Sequence, residues 1–224
     1  MNNFKKTFAL LNDQFKIAGV LLAAGEGKRL GNIPKSLIKL NGRSFLKHNL
    51  NAMLEEKFDE IVVVTGFHHE IIESSLKNFP VKILRNFNPE KGQQSSVKIG
   101  LKALGVNFNL IIVALADQPL ISHFDLKELI SEFKKLPPKK YILYPEVNNI
   151  RGNPVLLSGR ILMEILDKKE FNCRKFIDEN QELVKVLKTK NENFVIDIDT
   201  FNDIRDFEKR TGFKLNVSDL FKKD

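Results

Sequence analysis

The feature that most constrains this chain is an alternation, over residues 17–144, of short apolar runs with amphipathic helical stretches. Runs at 17–23, 60–65, 81–85, 110–115 and 141–144 are short, rich in β-branched residues and bounded by turns, so they read as strands. Between them, helical periodicity covers 44–55, 69–78, 93–104 and 124–135. The early strands are apolar throughout rather than at every second position, which requires a parallel sheet covered on both faces. Strand–helix alternation then predicts a three-layer, doubly wound, mainly parallel α/β fold of Rossmann-like form. With 224 residues, 42% of them hydrophobic, a single α/β domain over 1–224 can bury a sizeable core. After Pro137 and Pro138 the pattern changes. Strands are expected at 155–157, 183–187 and 194–198, helices at 159–168, 174–179 and 201–210, and a helical or frayed tail from 216. Residues 17–138 thus form one half, and 139–210 the far side of the same domain.

Lys and Arg total 36 against 28 Asp and Glu, a net charge of +8. The cations are spread along the chain, with short runs only at Lys139–Lys140 and Lys222–Lys223. An Arg-rich arm or basic–aromatic ladder is missing, so specific nucleic-acid binding is not expected, and the excess suits small anionic ligands. The lone Cys173 excludes an intrachain disulfide and reads as a small core residue. The first 15 residues lack the cleavage site of a signal peptide, and no window carries the ~18 apolar residues of a membrane span. These features fit a reducing cytoplasm and no membrane.

The first strand runs directly into Leu22-Ala23-Ala24-Gly25-Glu26-Gly27-Lys28-Arg29-Leu30-Gly31, with Pro34-Lys35 close behind. Small residues and glycines let backbone N–H groups approach phosphate oxygens, and Lys28, Arg29 and Lys35 add fixed positive charge. A Walker A loop requires Ser or Thr after Gly-Lys, where Arg29 stands, and a dinucleotide fingerprint requires Gly or Ala where Leu30 stands. The turn is a third type of phosphate loop.

The segment Ala116-Asp117-Gln118-Pro119-Leu120 directly follows the strand at 110–115. An acid at the carboxyl end of a central strand faces the crevice in which open α/β sheets bind ligands. A strand order 3-2-1-4 makes the first and fourth strands neighbours, and Asp117 then faces the 22–35 turn. Magnesium takes oxygen ligands, commonly one or two carboxylates plus substrate phosphates. A second carboxylate is available in Asp197-Ile198-Asp199-Thr200, where alternation puts Asp197 and Asp199 on one side of a strand end. Asp199 also reads as an N-cap of the following helix. Ser95 and Ser96, in Gly92-Gln93-Gln94-Ser95-Ser96-Val97-Lys98-Ile99-Gly100-Leu101, read either as helix caps or as contacts to ribose and base. Arg151-Gly152-Asn153-Pro154-Val155 reads as a turn before a strand. His48, His68, His69 and His123 have no metal spacing, and the His68-His69 pair reads as solvated.

The turn and its Pro-Lys resemble the signature of the nucleotidyltransferase superfamily with a glycosyltransferase-A-like fold. Ala116-Asp117-Gln118-Pro119 resembles the same superfamily's aspartate element, and Asp197–Thr200 its late acidic element, with Phe201-Asn202 replacing the usual Pro-Glu. Residues 92–101 and 151–155 resemble elements of the molybdenum cofactor cytidylyltransferases, with Gln94 in place of a serine and Asn153 in place of a histidine. The resemblance runs from about residue 17 to about 204. It implies a magnesium-dependent enzyme that moves a nucleoside monophosphate, CMP from CTP foremost, onto a phosphorylated acceptor such as molybdopterin and releases pyrophosphate. Leu22, Ala23, Ala24, Gly25, Gly27 and Lys28, with Ser95 and Ser96, are then expected at the nucleotide. Arg29, Lys35 and Asp117 are expected in catalysis, Asp117 with Asp199 (Asp197 as the alternative) at magnesium, and Arg151 and Asn153 at the acceptor. A transient contact with a molybdoenzyme or chaperone follows from the same resemblance. A sugar- or polyol-phosphate acceptor is the alternative, and a non-catalytic nucleotide- or cofactor-binding module is the contrasting class.

Overall fold

The computed structural model describes residues 15–167 and 172–221. The N-terminal stretch judged not to be a signal peptide lies, apart from its last residue, outside the described residues, as do Lys168 and the pair Lys222–Lys223.

The strands are β1 (Ile17–Ala23), β2 (Lys39–Leu40), β3 (Arg43–Ser44), β4 (Glu60–Thr65), β5 (Lys82–Arg85), β6 (Leu110–Leu115), β7 (Ile142–Val147), β8 (Ile150–Arg151), β9 (Val155–Ser158), β10 (Val184–Lys188) and β11 (Leu215–Asn216). The helices are α1 (Phe45–Glu55), α2 (His69–Ser75), α3 (Gln93–Leu104), α4 (His123–Lys134), α5 (Leu162–Leu166), α6 (Cys173–Glu179) and α7 (Phe201–Thr211). The main sheet runs β10-β7-β9-β6-β1-β4-β5, with β8 hairpinned onto β7. Its first-half order is the expected 3-2-1-4. Pairings β1–β4, β1–β6, β4–β5 and β7–β10 are parallel, whereas β9 is antiparallel to both β6 and β7. The second half thus continues the first half's sheet through one reversed strand.

All seven residues of β1 are buried, as a strand apolar on both faces demands. Leu21, Val63 and Ile112 pack with Leu50, Ile72 and Leu129 of α1, α2 and α4 on one face. Val20, Val62 and Ile111 pack with Leu101, Leu162 and Phe176 of α3, α5 and α6 on the other. A third core joins Leu30, Ile38 and Phe45 to Ile198, Ile204 and Phe207, fastening the late acidic segment against the glycine-rich turn. Capping boxes start α4 (Ser122 with Asp125) and α7 (Thr200 with Asp203).

Three expectations are corrected. The strand at 194–198 does not form: Glu192–Phe194 is a 3-10 turn and 195–199 is irregular, because its main-chain groups bond to turns rather than to a neighbouring strand. The 159–168 helix is a 3-10 turn, Gly159–Ile161, followed by the short α5. The tail is helical only over the 3-10 turn Ser218–Leu220, and just before it β11 pairs with β2 in a small antiparallel sheet completed by β3.

Candidate active site

β1 and β6 lie side by side in register, with Leu22 opposite Leu115. Both chains leave the sheet at the same edge. The Ala116 N–H donates to the Leu22 carbonyl at 3.0 Å, which holds Asp117 beside the glycine-rich turn. Within that turn the Gly27 carbonyl accepts from Leu30 and Asn32, curling the chain back on itself. Gly27 has φ 73°, and a Cβ there would stand 2.0 Å from the Ile33 carbonyl oxygen, so only glycine fits. The curl delivers Pro34 and then Lys35 to the edge of the sheet.

The Lys35 ammonium donates to both Asp117 and Asp199, and the Arg29 guanidinium donates to the other oxygen of Asp199. The side chains of Lys35, Asp117 and Asp199 are only 15%, 20% and 26% exposed, so these are shielded ion pairs. Burial would depress the Lys35 pKa, but the charge and hydrogen bond of Asp117, joined by those of Asp199, hold it above its ordinary value. Burial likewise opposes ionisation of Asp199, and the Lys35 and Arg29 contacts overcome it, leaving its pKa below the ordinary value. Asp197 has no such partner. Partial desolvation, followed by the negative charges of Asp117 and Asp199, pushes its pKa up.

The sequence left two roles open for Asp199 and for the serine pair. The N-cap of α7 is Thr200, not Asp199, so the Asp199 carboxylate is free to face Lys35. Nor do the serines cap α3, whose N-cap is Gly92. Asn86 donates instead to both Ser95 and Ser96, and Ser95 donates back to the Gly92 carbonyl. Asn86 follows the edge strand β5 at the same end of the sheet, and the rule that selected Asp117, an acid after a central strand, passes over it.

Two cavities open along this edge. One, of about 310 Å³, is lined by Ala24, Gly25, Lys35, Gln93, Ser96 and Asp117. The other, of about 150 Å³, is lined by Gln94, Arg151, Asn153, Cys173, Arg174 and Ile177, and shares Leu22, Gln93 and Leu115 with the first. Arg151 stacks on Tyr144, its guanidinium 4.3 Å from the ring centroid, and pairs with Asp178 at 3.0 Å. A larger cavity of about 900 Å³ lies at the opposite end of the sheet, around Phe108, Lys140 and Arg160. Of the expected residues, Leu22, Ala24, Gly25, Lys35, Ser96, Asp117, Arg151 and Asn153 line one or both edge cavities. Ala23 lies beneath, in the lining of a 30 Å³ void. Lys28, by contrast, is 74% exposed and paired with Glu26 at 3.1 Å, outside both linings.

The donor set suits magnesium. Asp117 and Asp199 offer hard oxygens, and Asp117 Oδ1 is buried without a hydrogen-bond partner. Among the described residues no three or more His, Cys, Asp or Glu side chains converge. The His68 and His69 rings are half-buried and bonded to the Glu26 and Gly66 carbonyls, correcting the solvated reading. Cys173 is buried, and burial pushes its thiol up to about 11 against a weaker opposing pull from Arg151, so it is no thiolate nucleophile.

Residues 19–184 match the model of the MobA-like NTP transferase domain. The chain belongs to this family. A relative named nicotine blue oxidoreductase, from Paenarthrobacter nicotinovorans, is 28% identical over 189 residues, covering 82% of this chain and 92% of that one. The chloroplastic 2-C-methyl-D-erythritol 4-phosphate cytidylyltransferase of Oryza sativa subsp. japonica is 31% identical over 119 residues, 52% of this chain and 40% of the relative. Among solved structures, Rv0371c from Mycobacterium tuberculosis H37Rv superposes with a TM-score of 0.73 at 22% identity, covering 87% of this chain and 97% of that one. That likeness concerns the fold, a three-layer α/β architecture with a mixed, mostly parallel sheet.

Proposed function

We propose that this member of the MobA-like NTP transferase family is a magnesium-dependent cytidylyltransferase, moving CMP from CTP onto a phosphorylated acceptor with release of pyrophosphate. The observation that carries the reading is Lys35, held between two carboxylates at the mouth of a cavity floored by a glycine-rich turn. The acceptor phosphate attacks the α-phosphorus in line, and the bond to the leaving pyrophosphate breaks. Such chemistry relies on positioning and charge stabilisation rather than on a protein nucleophile. Backbone N–H groups of residues 23–27 hold the phosphates, and Ser96 with Ser95 borders the nucleoside. Lys35 and Arg29 stabilise charge on the α-phosphate and the departing pyrophosphate. Asp117 and Asp199 would hold magnesium, which supplies charge neutralisation on the triphosphate when bound. Arg151 and Asn153 meet the acceptor in the adjoining cavity.

The elements at 92–101 and 151–155 support molybdopterin as acceptor. The cavity volume favours a second reading. At about 150 Å³ it falls below the ~300 Å³ at which pockets for drug-sized ligands begin, and it suits a sugar or polyol phosphate. Pyrophosphate release, measured for CTP, GTP, ATP and UTP with magnesium against each acceptor, tests both. The expected result is turnover with CTP and one phosphorylated acceptor. Because one relative bears an oxidoreductase name, absence of pyrophosphate with every pair would sink nucleotidyl transfer itself.

A further inference from the structure

We propose that Gln118 is a positioning residue that ties the acceptor cavity to the carboxylates through a single carbonyl, that of Phe194. Gln118 is buried, 2% exposed, and directly follows Asp117. Its Nε2 donates to the Phe194 carbonyl at 3.1 Å. The same carbonyl accepts from the Asn153 N–H at 2.9 Å, on the side of the acceptor cavity. Gly152 presses on this point too, for a Cβ there would stand 2.6 Å from the Phe194 oxygen. Phe194 is itself fully buried, and four residues later the Ile198 N–H donates to the Asp117 carbonyl at 3.2 Å. The irregular segment carrying Asp197 and Asp199 is therefore hung between two turns, one bearing Asp117 and the other Arg151 and Asn153.

The arrangement leaves polar groups unmet. Gln118 Oε1 is buried without a hydrogen-bond partner, as is the Oδ1 of Asn49, whose Nδ2 holds the Gln118 carbonyl at 3.0 Å. Most buried side-chain amides satisfy both of their ends, so one with an unmet end calls for an explanation. This one satisfies only the end that grips Phe194. A ligand seating on Arg151 and Asn153 thus presses on the carbonyl that sets the Asp199 segment opposite Asp117. Acceptor occupancy and carboxylate geometry are coupled through a shared hydrogen-bond junction.

The inference rests on Asp117 and Asp199 forming the metal site of the proposed transferase. The test is Mn²⁺ titrated into the full chain, with the free ion read by electron paramagnetic resonance and melting temperature measured in parallel. Gln118→Met removes the donor and the unmet oxygen at nearly constant volume. The expected result is about tenfold weaker Mn²⁺ binding, the scale of outer-shell losses at metal sites, with the melting temperature nearly unchanged. Gly152→Ala is expected to weaken Mn²⁺ in the same direction from the acceptor side. Unchanged Mn²⁺ affinity in folded Gln118→Met overturns the proposal, as does a melting temperature that collapses along with the affinity. A folded Gly152→Ala with wild-type affinity overturns the coupling. A wild-type chain that binds no Mn²⁺ overturns the metal reading as well, which separates the two failures.

Discussion

Replacing Lys35 with alanine withdraws the one ammonium that bridges Asp117 and Asp199. Exposed ion pairs contribute about 0–1 kcal/mol, whereas breaking a buried pair costs about 3–5 kcal/mol. With exposures of 15–26%, this cluster sits between those limits, so the expected loss is about 2 kcal/mol. For a chain of 224 residues, at roughly 2–4 °C per kcal/mol, the melting temperature falls by about 4–8 °C and the fold survives. The catalytic loss is larger in consequence. Removing one preorganised stabiliser of developing charge costs on the order of 10² in rate, about 2.7 kcal/mol of barrier. The assay is coupled pyrophosphate release at saturating CTP, magnesium and acceptor, with circular dichroism to verify folding. Magnesium alone should also raise the melting temperature of Lys35→Ala more than that of wild type, since the carboxylates no longer have an internal cation. Turnover within about threefold of wild type would remove Lys35 from the mechanism. A variant indifferent to magnesium would remove the carboxylates from the metal site.

Other outcomes are expected from single groups. Gly27→Ala should lower the melting temperature and weaken nucleotide binding, because the turn needs φ 73° and its Cβ would meet the Ile33 oxygen. Gly25→Ala, whose Cβ meets only the Lys35 side chain at 3.8 Å, should retain stability, so equal losses in the two variants would refute the geometry. Acid titration should separate the two late aspartates. Asp199, with a lowered pKa, contributes stability above its unfolded value near 3.8 that is lost as pH falls through its folded value. Asp197, with a raised pKa, carries a penalty at neutral pH that disappears as pH falls through its folded value. Asp197→Asn should therefore raise the melting temperature at pH 7 and Asp199→Asn lower it; the reverse order in a pH 3–7 melting series contradicts the charge assignment. Arg151→Ala should raise the acceptor KM and leave the CTP KM unaltered, and a shift in the CTP value would move Arg151 to the nucleotide. Iodoacetamide should label Cys173 slowly at pH 8, since its pKa of about 11 keeps the thiol protonated; mass spectrometry showing rapid labelling would contradict its burial.

The first half of the fold was legible because its signals are local. Seven successive buried residues in β1 admit only a covered parallel strand, and the turn after it follows from glycine spacing. The second half was less legible because its order depends on long-range partners. Residues 195–199 have the apolar alternation of a strand, yet they pair with no strand, and their bonds go to Asp117 and to turns. β2, β3 and β11 have only two residues each and leave no periodic signal. Ser95 and Ser96 looked like caps because a serine near a helix start usually is one; Asn86, distant in sequence, claims both hydroxyls.

The site was legible in its charges and not in its connections. Any cation after a glycine-rich turn and any acid after a central strand can be picked from sequence, and Lys35 and Asp117 were. What sequence could not show is that Asp199, 164 residues from Lys35, shares that ammonium while Asp197 does not. The difference arises from the irregular segment itself. A regular strand would present the two aspartates equivalently on one face. Losing that regularity lets one carboxylate take both cations while its neighbour is left partly desolvated beside two negative charges, as their opposite pKa shifts record. The failed strand is thus the feature that makes the acidic pair asymmetric. One aspartate joins Asp117 at the Lys35 ammonium, and the other adds negative charge beside that pair.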